Sequence, residues 1–170
     1  MPHRFSFGKG EKYVPSNEKM EAAADPAGVR GAAETRTPRR PVPDGGGRVS
    51  LRTPISYWYC EADGKIYFHG AKSGHKIDAI RRCDKASFCV YDQGFRREGE
   101  WALNIKSVIV FGRIHPVEDA QKTEEICRNL CAKFNDDPAY AQGEWEKSGA
   151  HVRCLALTPE HMTGKQVIES

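Results

Sequence analysis

Two lysines and a histidine cluster where a predicted strand passes into a predicted helix. The stretch YFHGAKSGHKIDAI, residues 67–80, places Lys72, His75 and Lys76 around Gly74. Backbone N–H groups at the start of a helix lack partners within it, and the helix dipole favours an anion beside them. Lys76, together with His75 or Lys72, would then neutralise a phosphate. The alternative interpretation is a solvated loop without a ligand.

The strand before this cluster offers an apolar and aromatic surface that suits a flat ring. Tyr67 and Phe68 point to opposite faces of that strand, so one of them is expected to belong to the core. His69, which follows them, is either a ligand contact or a hydrogen-bonded strand histidine. A phosphate site beside such a surface indicates a nucleotide-like cofactor.

The strands that would position these residues are patterned from residue 53 onward. ISYWYCEADGKIYFH is two strand-like runs around Asp63–Gly64, a pair that favours a hairpin turn. KASFCVYD alternates in the manner of a strand, and HVRCLALT predicts the last strand. NIKSVIVFGRIH is the strongest strand pattern, in which Gly112 indicates a bulge or a close approach of two backbones.

Two helices accompany these strands. A short helix is predicted around residues 76–82, and a longer one over roughly residues 118–134. The longer helix has apolar residues at four-residue spacing, namely Ile126, Leu130 and Phe134. Many antiparallel strands with two helices indicate a mainly β fold, a small β-barrel with α additions.

Residues 1–50 have a different composition. They hold six of the ten prolines and seven of the sixteen glycines, and they show no sustained apolar period. Such a segment cannot bury enough apolar surface to offset the entropy lost on ordering. It is predicted to be a low-complexity, disordered tail, with a basic nucleic-acid-binding arm as the alternative. Residues 51–170 are predicted to form one folded domain.

The distribution of charge narrows the class of protein. The net charge of +3 comes from the first fifty residues, because residues 51–170 carry seventeen basic and seventeen acidic side chains. A neutral folded part argues against a nucleic-acid-binding protein. No apolar run approaches the length of a membrane span, and the N-terminus lacks the pattern of a secretory signal. We therefore expect neither a nucleic-acid nor a membrane partner.

The cysteines favour core thiols over a metal site. All six follow residue 59, and none forms a CxxC pair. Cys127 and Cys131 lie one helical turn apart, but a second pair at ligand spacing is missing. Scattered thiols of this kind indicate a reducing compartment, so the protein is predicted to be cytoplasmic.

Four segments carry a resemblance to a known family: DGKIYFHGAKSGHKIDAI, KASFCVYD, SVIVFGRI and HMTGK. In this order and with similar gaps, they resemble the pyridoxamine 5'-phosphate oxidase-like superfamily over about residues 53–167. The nearest branch is the nitroimidazole-resistance (Nim-type) flavoproteins. The resemblance implies a split β-barrel that binds FMN at the interface of a homodimer.

The resemblance also implies which residues hold FMN. Lys76 matches the family's basic phosphate-binding residue, with Gly74 and His75 in support, and the charge cluster adds Lys72. The other implied contacts lie on strands: Thr53, Pro54 and Ile55 beside the isoalloxazine ring, Tyr67, Phe68 and His69 on the paired strand, and Ser107 and Val108 near the cofactor. His69 is implied to be the catalytic residue that contacts the small-molecule substrate. A solvated Lys76 and an ordinary surface Ser107 are the alternatives.

The implied function is that of an FMN-dependent oxidoreductase that reduces small electron-poor compounds such as nitro-aromatics. Oxidation of pyridoxamine phosphate is disfavoured, because that enzyme's arginine-rich substrate signature is absent after Thr158. Two rivals stay open. One is a non-catalytic module that holds flavin or haem, and the other is an inactive, truncated family member.

The resemblance stops before Thr53. Family members begin with a helix and a first barrel strand, and residues 1–50 are predicted to offer neither. Codons for residues 41–52, read one base along, can encode such a strand and a YPYG turn, so we hypothesise a frame disruption just before Thr53. Sequencing of the gene tests this, since codons that cannot yield that strand exclude it. With the sequence as written, the barrel would lack one strand and leave a neighbour's backbone groups unpaired.

Overall fold

The computed structural model describes residues 31–35 and 51–167 of the 170-residue chain. These residues form one antiparallel sheet of seven strands, three α-helices and a short 3-10 helix, Gly149–His151. The strands are β1 (Gly31–Thr35), β2 (Leu51–Ile55), β3 (Tyr57–Cys60), β4 (Lys65–Ala71), β5 (Lys85–Tyr91), β6 (Ile105–Pro116) and β7 (Val152–Val167). The helices are α1 (His75–Arg82), α2 (Ala120–Ala132) and α3 (Pro138–Ser148). None of these helices has the length and apolar character needed to cross a membrane.

The sheet is rolled into a barrel, and its connectivity requires this. The strand order is β2-β1-β5-β6-β7-β4-β3, so β2 and β3 lie at opposite ends. In a flat sheet those two ends would be about 29 Å apart, since neighbouring strands are separated by about 4.8 Å. Ser56 alone joins them, and the two Cα–Cα steps from Ile55 to Tyr57 span at most about 7 Å. The two edges must therefore meet at Ser56.

β7 connects the two parts of the sheet. Its residues 155–167 pair with β6, and its residues 152–157 pair with β4 on the other side. In the strand order, β7 therefore lies between the β5–β6 pair and the β3–β4 hairpin.

The barrel interior is filled by alternate side chains of the strands. Phe88 of β5 lies near its centre, with the ring of Tyr57 at 4.9 Å and the ring of Phe68 at 5.3 Å between centroids, both edge-on. The largest side chains of this cluster with no more than 1% exposure are Ile66, Phe68, Phe88, Val90, Val110, Leu155 and Leu157. Full burial of such a side chain contributes about 1.5–3 kcal/mol, so this cluster provides much of the fold's stability.

Two strand features predicted from the sequence are confirmed. β3 and β4 form an antiparallel hairpin around residues 61–64, in which Gly64 has a φ of +67° and its N–H donates to the Cys60 carbonyl at 2.9 Å. Gly112 lies at a register shift in the β6–β7 pairing. A Cβ at Gly112 would lie 2.0 Å from the Thr158 carbonyl oxygen, so the two backbones approach too closely for any other residue.

The longer predicted helix is present as α2 but is shorter at both ends. Asp119 caps its N-terminus by accepting a hydrogen bond from the Lys122 N–H at 2.8 Å. Ile126 and Leu130 are buried as the spacing predicted. Phe134 is 67% exposed, so its predicted place on the same buried face is wrong. The helix ends at Ala132, and the four-residue period has no meaning beyond that point.

Helix α3 was not predicted from the sequence. It begins after Asp137, whose side chain accepts from the Ala139 N–H at 2.9 Å, and Pro138 occupies its first position. None of its residues is buried, so it carries almost no apolar periodicity. A cap without a period is a weak signal of a helix.

The prediction that residues 1–50 supply no strand is wrong for one short segment. β1 pairs with β2 on one side and with β5 on the other, at the barrel position that was expected to be empty. Its sequence, GAAET, has small side chains and little strand propensity. Backbone hydrogen bonds to two neighbouring strands can outweigh such a weak preference, because β5 would otherwise be left as an open edge. Residues 1–30 and 36–50, including the proposed frame disruption, lie outside the described residues.

Candidate functional site

The start of α1 presents backbone donors without a side-chain cap. The N-cap residue is Gly74, with a φ of +119°, a conformation that residues with a side chain rarely adopt. No side chain accepts from the first turn of the helix at this cap. His75 is the first helical residue and is exposed. The N–H groups of this turn are therefore available to an external anion.

Lys76 lies over Gly70 at the inner side of β4. A Cβ built on Gly70 would come within 2.8 Å of the Lys76 Nζ, so the absence of a side chain at Gly70 makes room for the ammonium. Burial lowers the pKa of Lys76, which is partly enclosed. Within residues 31–35 and 51–167, no carboxylate forms an ion pair with Lys76. A half-buried cation without a counter-ion is unfavourable unless an anion binds beside it.

Four of the predicted site residues surround one small void. Lys76 of α1 lines it with Phe68 of β4 and with Thr53 and Ile55 of β2. The void measures about 10 Å³, and its other walls are Leu51, Ile80, Ile114 and Leu155. Pro54 lies between Thr53 and Ile55 on the outer, exposed side of the same strand. The structure therefore brings Lys76 and the side chains of β2 together.

Tyr67 lies on the opposite face of β4 from Phe68. It is 3% exposed and packs in a second cluster beneath α2, stacked on Trp58 with 5.5 Å between ring centroids. Its hydroxyl donates to the Asp63 Oδ2 at 2.5 Å. Phe68 is fully buried in the barrel. The expectation that one of the two belongs to the core understates their burial, because β4 is covered on both faces.

His69 lies on the same face of β4 as Tyr67 and forms part of the wall of a cavity between α2 and α3. The cavity measures about 540 Å³, which is within the range of small-molecule sites. Desolvation by burial, and then the charge of Lys76, lower the pKa of His69. A lowered pKa favours the neutral imidazole, in which one nitrogen donates and the other accepts hydrogen bonds.

Lys72 and the β6 pair lie apart from Lys76. The Lys72 Nζ donates to the Ala150 carbonyl at 2.5 Å, so this ammonium is tied to the 3-10 helix. Ser107 and Val108 lie on β6, which β1 and β5 separate from β2. Val108 is buried in the barrel core, whereas Ser107 lies on the outer face of the sheet.

The residues that sequence reasoning missed are those of the interhelical cavity. Its walls are mainly apolar and aromatic, with Cys127, Leu130, Cys131, Phe134, Tyr140, Trp145 and Val152 among them. The sequence signal in α3 is a pair of aromatic residues, Tyr140 and Trp145, five positions apart. Since the cavity arises from the packing of two helices, no local pattern could reveal it.

The family of the chain follows from a match to a protein-family model. The model described as pyridoxamine 5'-phosphate oxidase matches residues 44–166, well over half of the chain. No protein of curated function matches the sequence.

Solved structures share the fold at low sequence identity. The proposed 5-nitroimidazole antibiotic resistance protein of Bacteroides thetaiotaomicron has a TM-score of 0.64 and 13% identity, over 89% of this chain and 84% of that one. A FAD-binding protein of Mesorhizobium loti has a TM-score of 0.56 and 16% identity, over 91% of this chain and 96% of that one. The FAD and haem binding protein of Mycobacterium smegmatis has a TM-score of 0.58 and 17% identity, over 94% of this chain and 75% of that one.

The antiparallel barrel and these similarities confirm the predicted split-barrel fold. Together with the family match over residues 44–166, they show that the chain belongs to the pyridoxamine 5'-phosphate oxidase family.

Proposed function

We propose that the protein is an FMN-dependent oxidoreductase that reduces small electron-poor compounds such as nitro-aromatics. The observation that carries this proposal is Lys76, a half-buried ammonium beside an uncapped helix start. A terminal phosphate would supply the negative charge that no carboxylate of the described residues brings to Lys76. The family and two FAD-binding structural relatives support a flavin as the bearer of that phosphate.

The residues around Lys76 fit a flavin phosphate better than a free metal or a peptide. The N–H groups that follow Gly74 would donate hydrogen bonds to the phosphate oxygens, and Lys76 would neutralise their charge. Thr53 and Ile55, on the strand that shares the void with Lys76, would flank the ring. When bound, FMN supplies the one- and two-electron chemistry, and the protein supplies orientation and exclusion of water.

His69 is the residue proposed to orient the electron acceptor. It lines the interhelical cavity, and its lowered pKa favours the neutral imidazole. A neutral N–H can donate to the oxygen of a nitro group without fixing a positive charge in an apolar cavity.

A homodimer would complete this site. The outer surface of the β5–β6 hairpin carries large apolar side chains that a monomer leaves in water: Tyr91, Phe95, Trp101, Leu103, Ile109 and Phe111. We call this set the hairpin patch. Large apolar side chains exposed on one hairpin are typical of a protein–protein interface. Ser107 shares the outer face of β6 with Ile109, so Ser107 would lie at such an interface.

A module that holds flavin or haem without turnover is the second candidate. It is favoured by the similarity to the FAD and haem binding protein of Mycobacterium smegmatis. The two candidates differ in electron transfer. After anaerobic reduction by dithionite, the oxidoreductase passes electrons to an added nitro compound and its visible spectrum returns, whereas a carrier stays reduced. A haem module would instead show a Soret band with added haem and no binding of FMN.

Flavin fluorescence titrations test the phosphate site directly. We expect Lys76→Met to weaken FMN binding by about 10- to 100-fold, because a hydrogen bond to a charged group is worth about 1.5–3 kcal/mol. Riboflavin, which has no phosphate, should bind the variant and the wild-type chain equally. Lys72→Met is the matched control, since its ammonium is bound to the Ala150 carbonyl. An equal loss of FMN and riboflavin affinity, or no loss, would refute the phosphate role of Lys76.

A further inference from the structure

Two thiols from different elements are in contact beside the interhelical cavity. The Cys127 Sγ of α2 lies 3.7 Å from the Cys154 Sγ of β7. Cys154 is completely buried, and its Sγ also lies 3.8 Å from the Thr123 carbonyl oxygen. All six cysteines are free thiols. The pair belongs to the cluster under α2, away from Lys76 and the barrel interior.

The two thiols differ in their access to solvent. Cys127 is partly exposed and forms part of the cavity wall, whereas Cys154 is buried and does not line the cavity. Cys131 also lines the cavity, but no thiol contacts it within the described residues. A small reagent that enters the cavity would therefore meet Cys127 and Cys131, and only Cys127 has a second thiol behind it.

The charges of the pair favour Cys127 as the reactive thiol. A hydrogen bond from Cys154 lowers the pKa of Cys127. The hydrogen bond to Cys127, burial and the negative charge of Cys127 all raise the pKa of Cys154. Two of these three causes depend on the Cys127 thiolate and disappear once its sulfur carries a neutral substituent. Modification of Cys127 therefore makes Cys154 easier to deprotonate.

We propose that Cys127 and Cys154 are a redox-active dithiol that small disulfides entering the interhelical cavity oxidise to an intramolecular disulfide. In the first step, the Cys127 thiolate attacks one sulfur of the small disulfide, forms a mixed disulfide and releases one thiolate. In the second step, Cys154 loses its proton and attacks the Cys127 sulfur, so that the remaining half leaves as a second thiol. The two protein thiols lose two electrons and the small disulfide gains them.

The geometry allows this bond with little rearrangement. A disulfide requires about 2.0 Å between sulfurs, so the pair must approach by roughly 1.7 Å from the observed 3.7 Å. The helix α2 carries Cys127 and rests on the sheet without a covalent link to β7. The new bond would fasten the wall of the cavity that His69 shares.

Cystamine and peptide mapping test this proposal on the full-length native protein. Trypsin cleaves after Lys122, Arg128, Lys133 and Arg153, so Cys127, Cys131 and Cys154 fall in three different peptides. After cystamine treatment, the peptides TEEICR and CLALTPEHMTGK should be recovered as one disulfide-linked species that lacks two hydrogens. Circular dichroism before digestion confirms that the protein stays folded.

The variants separate the two steps. Cys154→Ser should accumulate a cysteamine adduct on Cys127, because the resolving thiol is missing. Cys131→Ser, the control from the same cavity wall, should form the Cys127–Cys154 bond as the wild-type chain does. If Cys154→Ser does not fold, the wild-type peptide map alone decides. A stable adduct on wild-type Cys127, a bond from Cys127 to any other cysteine, or no reaction of Cys127 would each overturn the proposal.

Discussion

The bulge at Gly112 gives the sharpest prediction for stability. In Gly112→Ala, the new Cβ would lie 2.0 Å from the Thr158 carbonyl oxygen and 2.9 Å from its carbonyl carbon. Both are backbone atoms, so β6 and β7 must separate instead of a side chain turning away. Overpacking costs about 1–3 kcal/mol, and one disturbed backbone hydrogen bond adds about 1 kcal/mol. We expect a loss of about 3 kcal/mol in the free energy of unfolding.

Urea denaturation followed by tryptophan fluorescence measures this loss. With a slope of about 2 kcal/mol per M, the midpoint should fall by roughly 1.5 M. Gly143→Ala is the matched control, because Gly143 lies inside α3 and its added Cβ would meet nothing within 4 Å. That control should gain about 0.5–1 kcal/mol from helix propensity. If Gly112→Ala lies within about 0.5 kcal/mol of the wild-type chain, the close approach of β6 and β7 is wrong.

Three further predictions concern the core, a helix cap and the subunit interface. The Tyr57 hydroxyl is buried without a hydrogen-bond partner in the described part of the chain, so Tyr57→Phe should raise the free energy of unfolding by about 1 kcal/mol. Burial raises the pKa of Tyr57 from 10.0 to about 12. Since the unfolded chain ionises first, the free energy of unfolding of the wild-type protein should fall as the pH rises between those values. Urea titrations at each pH should show that Tyr57→Phe lacks this part of the loss. Asp119→Ala should lower the free energy of unfolding, measured by heat or urea, by about 1 kcal/mol, and Asp119→Ser should keep most of the wild-type value. An equal loss in both variants would contradict the role of Asp119 as the helix cap. Trp101 is 82% exposed and lies in the hairpin patch, so Trp101→Glu should convert the proposed dimer to monomers. Sedimentation velocity measures this change, and an unchanged sedimentation coefficient would place the interface elsewhere.

The sequence predicts best where one physical signal dominates. The alternation of β5 and the turn at Asp63–Gly64 follow from burial on one face and from backbone geometry, and both are present. The start of α1 was identified from glycine and charge alone. These features depend on residues close together in the chain, so a local pattern contains the information.

The sequence predicts poorly where tertiary contacts decide. β1 is a strand because two neighbours need its backbone groups, although its own residues have little preference for that state. α3 has no buried face, and Phe134 follows a helix end that its spacing did not indicate. The cavity beside His69 exists only because α2 and α3 pack together. The residues around Lys76 could be named from the sequence, but the interhelical cavity that His69 lines could not.

The position of β7 has a consequence for the synthesis of the protein. This strand is the final element of the described chain, and it pairs with both β6 and β4. While the ribosome is still making the chain, the β3–β4 hairpin and the β5–β6 pair each keep an open edge that only β7 can cover. Exposed strand edges are sites of aggregation, and domains of this kind fold as units. Nascent chains stalled before residue 152 should therefore depend on chaperones, whereas chains released after residue 167 should not.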